Sequence, residues 1–523
     1  MTFTSVAFLP FAAILLLVYY LIPKKGQWML LLAASTAFYL FADLRYFLFL
    51  FVTVLTTYVT GMRLKARKEK LSALLAAQKE TLSRDERKKI KASHRKIDRV
   101  WLIGCLVLNF GMLAFCKGLL VKPLCEAFSG SSTFGFLTLA LPLGMSYYMF
   151  QSMGYVIDVY RGTAEAQTNP FKVALYTSFF PQLMLGPINK YNFLAPTLFA
   201  EHPFDAKRVS FGLQRMLWGF FKKLVIADRI AVAIGTLKGD EFTGVAFLVL
   251  CVFYAVQIYG DFTGGIDIAL GLSEALGVTM TENFVRPFFS KNIAEYWRRW
   301  HISLGEWMKD YIFYPLSVCS PMLTLSKKAR AHLGNFGKRL PVYVASIATW
   351  AVTGLWHGFN AHFLLWAGLN CFFIVLSEEC EPLYRRFHAK FGLKNKPWYG
   401  AFEILRMFML MNLIRATDLF ESVGTYFSRL VSLFVSPRFS FFTNGSLMRL
   451  GLTGTDYLVL LCGILLLFAV SLWQEKRGSV REALLQVPAL VRYTLLFALF
   501  LTVLLLGSYG IGYDASSFIY TQF

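Results

Sequence analysis

The chain has 523 residues, of which 56% are hydrophobic and 16% charged, and its mean hydropathy is +0.52. Apolar runs of spanning length, about 20 residues each, recur to the C-terminus, which excludes an ordinary soluble multidomain protein. The net charge is +22, but the basic residues gather on no recognisable nucleic-acid-binding module, so nucleic acid is excluded as a partner and the charge reads as Lys and Arg retained on cytoplasmic loops beside anionic lipid headgroups.

In the bilayer core every backbone polar group must be satisfied internally, so the spans are helices or a closed barrel. The runs are too long and continuous for barrel strands, which alternate over about 10 residues. The predicted fold class is all-α: a polytopic integral membrane protein forming one intertwined domain over 1–523. Cys105, Cys116, Cys125, Cys251, Cys319, Cys371, Cys380 and Cys462 contain no C-x-x-C pair. They are expected to be small buried hydrophobes, with no disulfide framework and no metal site.

The first residues lack a basic n-region and a small-residue cleavage site, so 1–22 is read as a retained span. Spans are expected at 6–22, 28–42 and 46–62. Residues 63–99 form a polar stretch dense in Lys and Arg, predicted to be a solvated helical excursion. Lys24 and Lys25 lie two spans away from it, so both reach the cytoplasm if the N-terminus is extracytoplasmic. A span at 101–116 and a turn at Ser129–Ser132 follow. Pro142 and Gly144 within 139–162 predict a kinked helix whose neighbours satisfy its backbone. Residues 179–187, rich in Pro and Gly, read equally as re-entrant backbone or an interfacial loop.

Residues 209–234 resemble an amphipathic helix near an interface, with Lys222 and Lys223 at that interface. In 257–267, Asp261, Asp267 and several glycines at membrane depth predict a lined cavity. Asn292, three residues before Glu295, predicts a helix start with a reciprocal cap. Tyr296, Trp297, Trp300, Trp307, Tyr311 and Tyr314 then recur at near-helical spacing. This helix carries Glu295, Arg298 and Arg299 and is expected to lie flat or line a chamber, with those charges away from lipid. Residues 326–339 read as a second basic cytoplasmic loop. Later spans are expected at 343–355, 363–376, 402–413, 458–472 and 493–506, with a polar stretch at 378–397. No internal repeat is discernible.

His94, His202, His332 and His388 lie in polar segments and read as surface residues. His301, His357 and His362 lie in or beside aromatic runs. Two of them follow tryptophan directly, in Trp300-His301 and Trp356-His357. Ionisable groups in such surroundings mark function. Imidazole exchanges a proton near neutral pH, so a buried neutral histidine can deprotonate a hydroxyl as it attacks an activated acyl carbon. A second polar group would orient it or steady the oxyanion; His301 and Asn360 are candidates. Trp300, Trp356, Asp261, Arg298 and Arg299 are expected to line the site, within a catalytic region at 290–360.

The motifs Arg299-Trp300-His301-Ile302-Ser303 and Leu355-Trp356-His357-Gly358-Phe359-Asn360 resemble the signature of the membrane-bound O-acyltransferase family. Gln257-Ile258-Tyr259-Gly260-Asp261-Phe262, Glu282-Asn283-Phe284-Val285-Arg286-Pro287 and Asp158-Val159-Tyr160-Arg161-Gly162 are similar to its bacterial alginate O-acetyltransferase-like branch. So are Phe8-Leu9-Pro10 and the closing Phe518-Ile519-Tyr520-Thr521-Gln522-Phe523. The resemblance implies a funnel-shaped bundle of about 11 spanning helices with re-entrant and interfacial helices. It implies His357 as the catalytic histidine and His301 as a supporting polar residue. It implies no bound cofactor and a cytosolic donor, acetyl-CoA or an acyl-carrier thioester. The acceptor would be an exported or cell-surface polysaccharide, directly or through an extracytoplasmic acyltransferase partner. The residues Gly305-Glu306-Trp307-Met308-Lys309-Asp310 and Phe313-Tyr314-Pro315 depart from that branch, which bears on the acceptor rather than the chemistry.

The leading expectation is an O-acetyltransferase in the cell membrane. The rivals are D-alanyl transfer to teichoic acid from a carrier-protein thioester, a solute transporter, and a non-catalytic scaffold. Tryptophan-flanked histidines favour catalysis; an inverted hydropathy repeat would favour transport, and none is found.

Overall fold

The computed structural model describes residues 2–41, 44–117, 143–394, 396–509 and 513. The expected turn at Ser129–Ser132, Pro142, Cys125 and the motif at 518–523 lie outside the described residues. The chain divides into two compact units. The first comprises Met1–Val209 and Leu272–Thr281, the second Ser210–Gly271 and Glu282–Phe523.

In the first unit, α1 (Phe8–Leu21) and α2 (Gln27–Leu40) precede two long helices, α3 (Leu44–Ala77) and α4 (Arg84–Cys116). The basic stretch 63–99 is the helical excursion expected: α3 and α4 run into it from either side. Ser83 closes the second helix with a capping box to Glu86, satisfying amides that a helix start leaves open. The two helices are joined by an ion pair, Arg67 to Asp98 at 2.5 Å, and by a hydrogen bond from Asn109 Nδ2 to Thr56 Oγ1 at 3.1 Å. Helix α5 (Met145–Arg161) is buried along most of its length.

Residues 179–188 are buried throughout and include the short helix Phe180–Leu183, so they do not form an exposed interfacial loop. Their polar groups are met inside the unit: Gln182 Nε2 donates to the Tyr176 carbonyl at 2.8 Å, and Asn189 Nδ2 donates to Gln182 Oε1 at 3.0 Å. His202 is buried, correcting its expected surface position. Its backbone N–H donates to Gln27 Oε1 at 2.8 Å, and its Nε2 pairs with the Thr197 carbonyl at 2.7 Å.

The second unit begins at Ser210 within α6 (Ala206–Phe220), followed by a π-helical turn at Phe221–Ala227 and α7 (Asp228–Leu237). The long helix α8 (Val245–Ala275) lies in backbone contact with α6. A Cβ on Gly219 would stand 2.5 Å from the Gly264 carbonyl oxygen, and one on Gly264 would stand 2.8 Å from that of Gly219. Paired small residues of this kind let helices approach closely in membranes.

The interfacial helix expected around Lys222 and Lys223 is therefore corrected: both side chains are buried. Lys223 Nζ pairs with Asp261 at 2.5 Å and Asp228 at 2.7 Å, while Lys222 Nζ pairs with Asp267 at 2.6 Å. Arg215 holds Asp267 at 2.9 Å and grips Glu282 through both terminal nitrogens at 2.6 Å. A buried charge is tolerated when it is paired and hydrogen-bonded, and here Asp261 and Asp267 of α8 supply partners that are distant in sequence, 38 residues from Lys223 and 45 from Lys222.

Short helices α9 (Ile293–Arg299) and α10 (Ile302–Met308) follow. Asn292 caps α9 through a bond from the Glu295 amide at 2.8 Å. The Glu295 carboxylate in turn accepts from the Lys291 amide at 2.9 Å, one residue before the cap. Helix α11 (Ser320–His357) contains 326–339, so that basic stretch is helical rather than a loop, interrupted only at Gly334 with φ 54°. Its Lys, Arg, Ala and Leu are good helix formers. Helix α12 (Ala361–Phe391) likewise runs through most of the polar stretch at 378–397, ahead of α13 (Pro397–Arg415). The last long helices are α14 (Gly454–Arg477) and α15 (Ala489–Leu506).

The protein is all-α and polytopic. Among the described residues six helices are long and apolar enough to cross a membrane, namely α3, α4, α8, α12, α14 and α15. That is fewer than the 11 or so expected, because several of the expected spans fall in helices that are shorter or carry more charge. Of the seven cysteines described, Cys105, Cys251 and Cys371 are buried and Cys462 is exposed. Uniform burial of cysteines is thus corrected: Cys462 is on an outer face of α14.

Candidate functional site

The two tryptophan-histidine pairs come together in the second unit through aromatic contacts. Residues 283–285 run antiparallel to 299–302, with Phe284 bridged to Trp300. That pairing carries α9 into α10 through a sharp turn at His301, which has φ 49°. The His301 side chain is buried, with its ring 5.0 Å from Phe262 of α8, edge-on. On another side the Trp356 ring lies 6.1 Å away, also edge-on.

Trp356 and His357 end α11. Their rings are 4.7 Å apart, so the Trp356 indole contacts both imidazoles. His357 is 9% exposed and has further walls from α12: Trp366 edge-on at 4.8 Å and Phe363 stacked at 5.9 Å. The chain turns between α11 and α12 at Gly358. A Cβ there would stand 2.7 Å from the Phe363 ring, so the third letter of the Trp-His-Gly motif makes room for the ring that stacks on His357.

A second layer fixes these walls. Trp297 packs edge-on against Trp350 at 4.9 Å and Trp366 at 5.7 Å. Its indole N–H donates to Asn370 Oδ1 at 3.2 Å, and Asn370 Nδ2 donates to the Trp366 carbonyl at 2.8 Å. Trp300 is stacked on Tyr296 at 5.7 Å. The buried Arg415 guanidinium covers Trp300 at 4.2 Å and donates to Tyr296 Oη at 3.3 Å. His301 lies outside the six spanning helices; burial, and then the nearby Arg415 cation, push its imidazole down to about 3. It is therefore neutral at working pH, able to donate or accept a hydrogen bond but not to carry charge.

Of the other expected lining residues, Trp300 and Trp356 are in the enclosure. Asp261 is one residue from Phe262 but is ion-paired with Lys223. Arg299 joins Glu295 at 2.7 Å and Glu475 at 3.0 Å, and Arg286 joins the same Glu475 at 2.5 Å. Arg298 and Asn360 are exposed. Asn360 precedes α12 as its cap residue, and its carbonyl accepts from the Phe363 amide at 3.2 Å.

Asn370 and Arg415 belong to the site and were missed from the sequence. Each is a polar residue within an apolar run, which is the signal that could have found them. His362 is buried with its ring 4.1 Å from Phe363, so it touches the wall of His357. Among the described residues no group of three or more His, Cys, Asp or Glu is placed to hold a metal ion.

An all-α polytopic fold thus gathers two imidazoles within aromatic walls. Residues 164–416 match MBOAT, the membrane-bound O-acyltransferase family, and the chain belongs to that family of acyltransferases. It is 29% identical over 419 residues to a "Probable alginate O-acetylase AlgI" of Pseudomonas syringae pv. tomato, covering 78% of this chain and 69% of the relative. It is 29% identical over 319 residues to a "Peptidoglycan O-acetyltransferase" of Helicobacter pylori, covering 55% of this chain and 57% of that protein. A "Teichoic acid D-alanyltransferase" of Bacillus subtilis is 27% identical over 255 residues, covering 48% of this chain and 61% of its own. The last two matches thus span less than two thirds of those relatives.

Proposed function

We propose that the protein is a membrane O-acetyltransferase that moves an acetyl group from a cytosolic thioester to a hydroxyl of an exported or cell-surface polysaccharide. The observation that carries this reading is that His301 and His357 both pack edge-on against one buried indole, Trp356. His357 is the general base. It takes the proton of the acceptor hydroxyl as that oxygen attacks the thioester carbonyl. The C–S bond then breaks, the ester forms, and the proton goes to the departing thiolate. Neutral His301 supplies the hydrogen bond that orients the base or steadies the oxyanion. The aromatic walls of Trp356, Phe363 and Trp366 keep bulk water from competing with the acceptor.

Acetyl-CoA is the proposed donor, with an acyl-carrier thioester as the variant. The acceptor is reached directly or through an extracytoplasmic transferase partner. The N-terminus is extracytoplasmic in the cell membrane, and the basic stretches 63–99 and 326–339 are cytoplasmic. A membrane-impermeant thiol reagent applied to intact cells should leave a cysteine placed at Ser83 unlabelled, with native cysteines replaced; labelling there would reverse the topology.

The teichoic acid relative favours D-alanyl transfer as the second reading. One experiment separates the two. Membranes containing the protein are given acetyl-labelled acetyl-CoA or carrier-bound D-alanine, and alkali-labile label on the extracted polymer is measured. Label from acetyl-CoA is expected. Label only from D-alanine would replace the acetyl reading, and label from neither would remove both.

A further inference from the structure

The turn that presents His301 is held by a residue to which the chemistry above gives no role. A left-handed backbone at a non-glycine residue is uncommon and persists only where its surroundings over-determine it. Here those surroundings are largely one side chain and its own backbone. Asn283 is fully buried. Its carbonyl accepts the Ile302 N–H at 3.0 Å, and its Oδ1 accepts the Ser303 N–H at 3.0 Å and the Ser303 hydroxyl at 2.9 Å. Both amides that follow His301 therefore end on Asn283. His301 stands at the cap position of α10 yet makes no side-chain cap bond. Asn283 supplies that cap from a segment 18 residues earlier, satisfying donors a helix start leaves open. The next two residues tighten the same clamp: Phe284 bridges Trp300, and the Val285 amide donates to the Arg299 carbonyl at 2.9 Å.

With Oδ1 occupied by two donors, the orientation of the Asn283 amide is set by its bonding. Its Nδ2 has no hydrogen-bond partner among the described residues. A buried donor left unmade costs stability. The acceptor half of the amide is thus the part the fold uses.

We infer that Asn283 is a positioning residue for acyl transfer: by clamping the turn from outside, it fixes the His301 imidazole between Phe262 and Trp356. This rests on the reading of His301 as a support for transfer at His357. A side chain that merely filled space would affect folding and nothing else. A clamp makes turnover follow the acceptor oxygen, which Asn283→Asp keeps and Asn283→Ala removes.

The test uses the full-length protein in membranes, with labelled acetyl-CoA and polymer acetylation as readout, beside amide hydrogen exchange over residues 299–306. Misplacing a catalytic group by about 1 Å costs up to about 100-fold. Asn283→Ala is expected to lower kcat by at least about tenfold at little change in KM for acetyl-CoA. It should also speed exchange at Ile302 and Ser303, while Asn283→Asp recovers most of the turnover. A smaller fall in kcat, or an Asp variant no better than Ala, would overturn the inference. If Asn283→Ala fails to accumulate, Asn283→Asp decides: at least about a tenth of wild-type kcat supports the clamp, and less overturns it. Wild type and His357→Ala run alongside. If wild type shows no transfer that depends on His357, the transferase reading fails by itself, and exchange alone then judges the clamp, unchanged protection at Ser303 overturning it.

Discussion

The guanidinium of Arg415 lies 4.2 Å from the ring centre of Trp300, the residue that precedes His301. A fixed cation over this indole does two things. It anchors the wall through the ring face, and it raises the cost of a second positive charge on the imidazole next door.

That cost has a sign that solution experiments can read. The folded-state imidazole of His301 is held at about 3, by burial first and Arg415 second, whereas an unfolded one titrates near 6.5. Below about pH 6.5 the unfolded chain takes up a proton that the folded chain refuses. Stability supplied by neutral His301 is therefore complete above that pH and is lost as pH falls towards 3. The melting temperature in detergent should drop between about pH 6.5 and pH 4, and His301→Gln should flatten that drop. An identical acid slope in the two proteins would show that His301 is not the group involved.

The Lys223 ammonium sits between Asp261 at 2.5 Å and Asp228 at 2.7 Å, and Tyr513 Oη donates to Asp228 at 2.9 Å. Lys223→Met would leave two carboxylates without their cation. Breaking a buried pair from one side costs about 3–5 kcal/mol, so this variant should melt far lower or fail to accumulate. Adding Asp261→Asn should restore part of the loss. Thermal melting of wild type and the two variants by size-exclusion chromatography checks this, and a Lys223→Met protein as stable as wild type would refute it.

The sequence makes some of this site plain and hides the rest for identifiable reasons. His301, His357 and their tryptophans are legible because each motif is local and stands out against apolar flanks. Lys222 and Lys223 mislead because their partners, Asp267 and Asp261, lie on a distant helix; a local pattern reads them as interfacial. The basic stretch 326–339 misleads differently: its charge suggests a loop, although its residues favour helix. Asn360 and Arg298 share the motif neighbourhood but are exposed. Asn370 and Arg415 face inward, and neither belongs to a motif. Proximity in sequence to a catalytic motif is a poor guide to direction, which is set by helix phase and by the neighbours each face meets.

Gly358 offers a test of geometry without touching an imidazole. A methyl group there would stand 2.7 and 2.8 Å from two Phe363 ring carbons, and that ring stacks on His357 at 5.9 Å. Gly358→Ala should displace the ring and lower transfer by about 10- to 100-fold, with the protein still present in the membrane. His362 is a weaker comparison, because it touches the same ring. Polymer acetyl content normalised to protein level is the measure, and unchanged transfer in the Ala variant would mean that this wall does not position His357.

In the proposed mechanism His357 accepts the proton of the attacking hydroxyl. His357→Ala removes the base while leaving Trp356, Trp366 and Phe363 in place. General base catalysis contributes about 10²- to 10⁴-fold, so acetyl transfer from labelled acetyl-CoA to polymer should fall by at least about 100-fold, at wild-type membrane levels and an unchanged melting temperature. Near-wild-type transfer by a well-folded His357→Ala protein would contradict the account.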